Sequence, residues 1–215
     1  MIKELLQKRF TAKHWNKEPV PADKLNYILE CLYLTPSKNG KYNWKVYVLG
    51  DTTESKLIKE WLFWENTWCL DKERVKLGEG MRRYNGQVLA PAVLCFVAEN
   101  ENSETENDIM VAATIAILAA EEQGLNSGFN GCVGQREVAE KLGLENEEYA
   151  VVLVGIGYVD HMDTKDIGTT QEFIGRSVFK DSKQVGFDYG NVAANNSTNS
   201  NRKSKPNIST LIKFL

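Results

Sequence analysis

Histidine is nearly missing from this chain: of 215 residues, only His14 and His161 carry an imidazole. Most general acid–base schemes lean on that group. No GxSxG, HExxH or P-loop lysine pattern occurs either. Cysteine is as sparse. Cys31, Cys69, Cys95 and Cys132 lie far apart with no CxxC pair, which argues against a zinc site and a disulfide scaffold. Long apolar runs are lacking too. The longest, residues 109–120, includes Thr114 and falls short of the roughly 20 residues that span a bilayer. The opening MIKELLQKRF has no secretory apolar core. Nor does either charge dominate. With 26 basic and 29 acidic residues the net charge is −3, so there is no global field for nucleic acid or an anionic membrane. What remains is a soluble domain of 24.3 kDa, expected in the reducing cytoplasm and long enough for one sizeable core.

The patterning mixes strands and helices without a regular βαβ rhythm, which points to a single α+β domain over 1–215. Residues 2–8 read as a short helix, and 10–21 as a loop because Pro19 and Pro21 forbid helix. Residues 23–34 return to helix, with Leu25, Ile28, Leu29 and Leu32 on one face. NWKVYVL, 43–49, alternates as a strand. An aromatic-rich helix is expected over 54–70, in which Trp61 and Trp64 read as core packing rather than a lid. AVLCFVA reads as a buried strand. Residues 99–108 hold five acids and read as a solvated loop or a helix entry, before an almost wholly apolar helix over 108–123 stopped by Gly124. A short helix over 136–142 and a buried strand over 150–159 follow. Residues 191–201 read as a flexible polar loop, and 202–215 as a basic arm with a β-capable end.

Four constellations could carry chemistry. Arg9-Phe10-Thr11-Ala12-Lys13 combines a guanidinium, a hydroxyl and an ammonium, as a phosphate requires; a solvated basic helix end is the plainer alternative. Thr35-Pro36-Ser37-Lys38-Asn39-Gly40 reads as a turn with outward amides, either a ligand loop or a simple connection. Residues 124–131 place three glycines where a loop could approach a flat ligand, or merely turn. Gly155-Ile156-Gly157 lacks the third glycine and helix of a dinucleotide fingerprint and reads as the end of a packed strand. Cys132 reads as a small buried residue rather than a nucleophile. Phosphate-like cations without an acid–base pair suggest that a cofactor carries the chemistry.

Taken in order, RFTAKHW, the helix and turn through TPSKNGKYNWKVYVL, YNGQVLAPAVLCFVA, DIMVAATIAILAAEEQGLNSGFNG and AVVLVGIGY resemble the nitroreductase family of flavin-dependent oxidoreductases over nearly the whole chain. The resemblance implies a central mixed, mostly antiparallel sheet flanked by helices, in an intertwined homodimer that binds FMN at its interface. It implies that Arg9, Phe10, Thr11 and Lys13 hold the phosphate, ribityl chain and pyrimidine edge. Asn85 would bond the pyrimidine edge, and the backbone of Asn130 and Gly131 would face N5 and O4. Pro36, Ser37 and Gly40 would come from the partner chain, and Lys203 and Lys205 would reach the phosphate. No metal is implied.

The reaction implied is ping-pong: NAD(P)H, as co-substrate, delivers hydride to flavin N5, and an electron-poor small molecule such as a nitroaromatic or quinone then takes it. Two rivals share the resemblance. One is an FMN-binding or flavin-storage protein without turnover; the other is a relative that fragments flavin or dehalogenates.

Overall fold

The computed structural model describes residues 2–64, 86–100, 102–131, 136–145, 147–159 and 212–214. Its helices are α1 (Ile2–Lys8), α2 (Ala22–Tyr33), α3 (Thr53–Trp64), α4 (Ser103–Glu122) and α5 (Arg136–Lys141). Its strands are β1 (Trp44–Leu49), β2 (Ala92–Ala98), β3 (Asn126–Asn130), β4 (Tyr149–Gly157) and β5 (Ile212–Phe214). They form one mixed sheet in the order β3-β4-β2-β1-β5. Neighbours among β1–β4 run antiparallel, and only the three-residue β5 joins β1 in parallel.

Alternation within each strand fills two cores. Trp44, Val46 and Val48 of β1 join Leu94 and Phe96 of β2 and Val152, Val154 and Ile156 of β4 on one face. There α2 and α4 cover them, and five alanines of α4 (Ala112, Ala113, Ala116, Ala119, Ala120) are buried. Small side chains allow close approach of helix to sheet. Tyr47, Leu49, Val93, Cys95, Val97 and Leu153 face the other way, under Ile58 and Leu62 of α3 and Val138 of α5. With both faces covered, AVLCFVA is apolar at every position because every position is buried.

Two expectations need correction. The long helix begins at Ser103, not Asp108. The Asn102 side chain caps it by accepting from the Glu104 amide at 2.9 Å, and Glu104 and Glu106 sit in the first turn, where the helix dipole favours acids. Of the two readings of 99–108, helix entry holds from Ser103 on, and Glu104, Glu106 and Asp108 are helical. Second, the glycine-rich stretch after α4 is not a loop: Gly124 turns the chain with φ +71°, and Asn126–Asn130 then pairs with β4. The helix expected over 54–70 is described to Trp64; residues 65–85, Cys132, the loop expected at 191–201 and most of the 202–215 arm lie outside the described residues. Trp61 is half-buried against the second core with Lys141 over its ring at 5.6 Å, the packing use expected of it.

On α3, Ser55, Ile58, Lys59 and Leu62 are the buried positions. Lys59 thus occupies the apolar stripe. Its ammonium donates to the carbonyls of Gly50 at 2.8 Å, Ala90 at 3.1 Å and Pro91 at 3.2 Å. Burial pushes this ammonium down to about 8, with Lys56 adding to the shift and Asp51 opposing it. Between that value and about 10.4 for an unfolded lysine, the unfolded chain binds more protons. Stability should therefore rise with pH through this window. The melting temperature of the parent relative to Lys59→Met should climb from about pH 7 to about pH 10; a difference flat with pH would show that folding leaves this ammonium's proton affinity unchanged.

Candidate functional site

The segment after α1 runs as an extra, irregular strand beside β3. Thr11 bridges Ser127 in parallel, and the Ala12 amide donates to the Ser127 carbonyl at 2.9 Å. Further on, the Trp15 indole donates to the Gly86 carbonyl at 2.8 Å, and the Asn16 amide to the Tyr158 carbonyl at 3.0 Å. A second piece of irregular backbone, the 3₁₀ turn Gly86–Leu89, packs against the same place. A Cβ on Gly86 would sit 2.3 Å from the Lys13 carbonyl oxygen. One on Gly128 would lie 2.4 Å from the Ala12 oxygen, and one on Gly155 2.1 Å from the Gln87 oxygen. Gly128 and Gly155 pair directly across β3 and β4. The glycines therefore serve close approach, but to the chain's own backbone.

This packing fixes the first candidate group. Arg9 is half-buried and Phe10 buried. The Arg9 guanidinium donates to the Thr11 hydroxyl at 3.4 Å through one terminal nitrogen, while its buried Nε has no partner among the described residues. Thr11 is half-buried and Lys13 exposed on the same segment. Arg9 also lies near the end of α4: burial pushes the Glu121 carboxyl up, and the charges of Arg9 and Lys8 pull it back. Asn130, buried, ends β3, and Gly131 follows it into open space. Arg9, Phe10, Thr11, Lys13, Asn130 and Gly131 thus lie along the β3 edge of the sheet, Arg9 toward the start of β3 and Asn130 at its end.

The second group sits elsewhere. Pro36 and Gly40 are exposed and Ser37 half-buried. Their turn is tied to the first half of α4, where Asp108 Oδ2 accepts from the Ser37 hydroxyl at 2.7 Å and the Lys38 amide at 3.0 Å. Lys38 also pairs with Glu104. Three amides of the turn are engaged within the chain: Thr35 N–H donates to the Leu32 carbonyl, Gly40 N–H to the Ser37 carbonyl, and Lys38 N–H to Asp108. From Asp108 to Glu121 the helix rises roughly 20 Å at about 1.5 Å per residue. Within one chain the two groups do not meet.

Asn85, Lys203 and Lys205 lie outside the described residues. The sequence reading missed Trp15, Gly86, Ser127, Asp108 and Lys59. Only Lys59 carries a local signal, a lysine at a buried position of the α3 stripe. Among the described residues no cluster of His, Cys, Asp or Glu could hold a metal ion, and no helix is long and apolar enough to cross a membrane.

A family model described as the nitroreductase family matches residues 6–158. The chain is 26% identical over 166 residues to an iodotyrosine deiodinase of Thermotoga neapolitana, covering 74% of this chain and 89% of that protein. A nitroreductase with bound FMN from Bacteroides fragilis superposes with a TM-score of 0.61 at 22% identity, over 74% of this chain and 88% of its own. An oxidized iodotyrosine deiodinase bound to FMN and 3-iodo-L-tyrosine superposes with a TM-score of 0.57 at 24% identity, over 74% and 90%. These superpositions establish the fold.

The close approach of Ala12 to Gly128 can be tested directly. Gly128→Ala must push the 11–13 segment off β3 and should cost about 1–3 kcal/mol of stability, the usual range for overpacking. Gly131→Ala, whose added Cβ meets nothing within 4 Å among the described residues, should change stability by less than about 0.5 kcal/mol. Urea unfolding midpoints compare the two; equal midpoints would mean that the segment is not seated on the strand.

Proposed function

The chain belongs to the nitroreductase family, and on that footing we propose that it is an FMN-dependent oxidoreductase. It would use NAD(P)H to reduce an electron-poor small molecule, of the nitroaromatic or quinone kind. The observation that carries the reading is Arg9: a buried guanidinium nitrogen without a partner among the described residues, beside a hydroxyl and followed by an ammonium. A buried donor left unmet is costly, and a phosphate oxygen supplies the acceptor it lacks. The fold is shared with FMN-bound proteins.

When bound, FMN would supply the redox chemistry, taking hydride at N5 from the nicotinamide and passing it to the acceptor in a ping-pong cycle. The chain's own residues do the holding. Arg9 and Thr11 would bind the phosphate and ribityl chain with Phe10 anchoring their segment in the core. Lys13 would place a fixed positive charge by the pyrimidine, where electron density accumulates on reduction. Asn85 would bond the pyrimidine edge, Asn130 and Gly131 would line the ring with backbone, and Lys203 and Lys205 would add charge near the phosphate.

Pro36, Ser37 and Gly40 stand about 20 Å away along α4, so a second copy must bring its turn to this flavin. We infer a homodimer. The exposed side of α4 offers the surface: Met110 and Val111 are exposed, and half-buried Ile115 and Leu118 continue the stripe. Burial against its own copy would cover it.

Reductive dehalogenation is the second reading, favoured by the identity shared with the Thermotoga neapolitana deiodinase. Flavin released by heat and identified by chromatography tests the cofactor. Anaerobic spectra with NADH, then NADPH, followed by a nitroaromatic or 3-iodo-L-tyrosine, separate the two chemistries from a flavin store without turnover. A protein that takes up no FMN would sink both readings. Light scattering from a stable FMN-loaded monomer would overturn the dimer.

Arg9→Ala should weaken FMN binding by on the order of 1.5–3 kcal/mol, the worth of a charge-assisted hydrogen bond. Lys13→Ala should weaken binding and also slow flavin reduction by NAD(P)H. Truncation after Asn201 should lower FMN affinity and the melting-temperature gain that FMN confers. Titration of flavin fluorescence reads the affinities; variants as tight as the parent would remove these residues from the site.

A further inference from the structure

Lys59 takes no part in the site described so far, yet it is buried and its hydrogen bonds go to carbonyls, with no carboxylate among their acceptors in the described residues. The neighbouring acid Asp51 is bonded instead to Lys56, at 2.8 Å. All three ammonium hydrogens have backbone acceptors, drawn from two separate stretches: Gly50 at the end of β1, and Ala90 with Pro91 where the 3₁₀ turn enters β2. A leucine or methionine would fill the same apolar stripe without the cost of burying a charge. What an ammonium adds is direction, because it fixes three carbonyls at once.

Those carbonyls belong to the backbone that supports the cofactor segment. From Ala90 the turn closes back through its amide to the Gln87 carbonyl at 3.3 Å. Gln87 packs on Gly155 and Gly128, Gly86 packs on the Lys13 backbone, and the Gly86 carbonyl accepts the Trp15 indole. Asn85 adjoins it in sequence. With glycine at these contacts no side chain cushions a displacement. A shift at Ala90 and Pro91 must be absorbed by the 13–15 segment.

We propose that Lys59 is a positioning residue for the flavin cradle: by tying Gly50, Ala90 and Pro91 together it sets the 86–91 turn against which Lys13 and Trp15 are laid. This rests on the FMN reading above. The test uses Lys59→Met, which keeps the length and apolar stem, and Lys59→Gln, which keeps two donors. Two measurements are made on the full-length protein. Amide hydrogen exchange on the FMN-free form should show faster exchange at 86–91 and 12–16 in Lys59→Met, with α4 unchanged. FMN titration should show about tenfold weaker binding, equivalent to roughly 1.4 kcal/mol, with a changed visible circular dichroism of the bound flavin. Lys59→Gln should fall between parent and Met in both. Unchanged exchange in those two segments, or faster exchange with FMN affinity and flavin spectrum unaltered, overturns the proposal. Uniformly faster exchange, α4 included, also overturns it, since that is general loosening. A parent that takes up no FMN overturns the functional reading and the cofactor half of this proposal, while its exchange pattern still decides whether Lys59 holds the turn.

Discussion

Two stretches of irregular backbone, 11–16 and 86–91, rest on the ends of β3 and β4 with almost no side-chain atoms between. At Gly86, Gly128, Gly155 and Gly157 an added Cβ would lie between 2.1 and 2.5 Å from its nearest neighbour. Such contacts are closed to any other residue without movement of the chain. In exchange, the backbone makes direct hydrogen bonds from Ala12 to Ser127 and from Asn16 to Tyr158. The position of every candidate ligand on the 9–13 segment follows from this seating. Lys13 has no partner strand of its own; its carbonyl is located by Gly86, and Gly86 by the Trp15 indole. The site is thus set by backbone against backbone, which is stiffer than contact through rotatable side chains.

Helix α4 divides the rest of the arrangement. Its alanine face packs on the sheet, its start holds the Pro36–Gly40 turn through Asp108, and its end lies by Arg9. Lys24 bonds the Gln123 carbonyl at 2.7 Å just past that end, placing a positive charge where the helix dipole favours one. One rigid rod therefore separates two sets of candidate contacts by a fixed distance. Joining them on one ligand would require a second rod, and the middle of the exposed side offers Met110 and Val111. On the dimer reading proposed above, the same helix would both keep the two groups apart within one chain and offer the surface on which two chains pair.

Strand and helix identities were legible because burial on two faces imposes its period on the residues: β1 alternates between the two cores, and β2 is apolar throughout. The start of α4 was less legible, since Glu104 and Glu106 suit a solvated stretch and a first helical turn equally; the deciding feature is the Asn102 cap. Residues 126–130 lack strand propensity, having Asn at both ends and Gly in the middle. Pairing with β4 overrides local preference there. The candidate ligands at 9–13 were legible from their chemistry. The parts that place them were not, because Trp15, Gly86 and Ser127 act through contacts with residues remote in sequence. The engaged amides of the 35–40 turn were hidden for the same reason: Asp108 lies about seventy positions away.

Lys45, Lys59 and Arg9 are all at least half-buried, and their partners differ. Lys45 is paired with the buried Glu148 at 2.5 Å, which holds its ammonium above the ordinary lysine range. Lys59 has three carbonyls for three hydrogens. Both are complete within the chain, so neither has reason to bind an anion. Arg9 differs. Its hydrogen bond to Thr11 is long, at 3.4 Å, and its buried Nε–H meets no acceptor among the described residues. A fold that satisfies the other two so fully gains nothing from leaving a guanidinium donor dry. The buried Trp44 Nε1 also lacks an acceptor among the described residues; what sets Arg9 apart is its charge, and on the reading proposed above an anion from outside the chain would answer it.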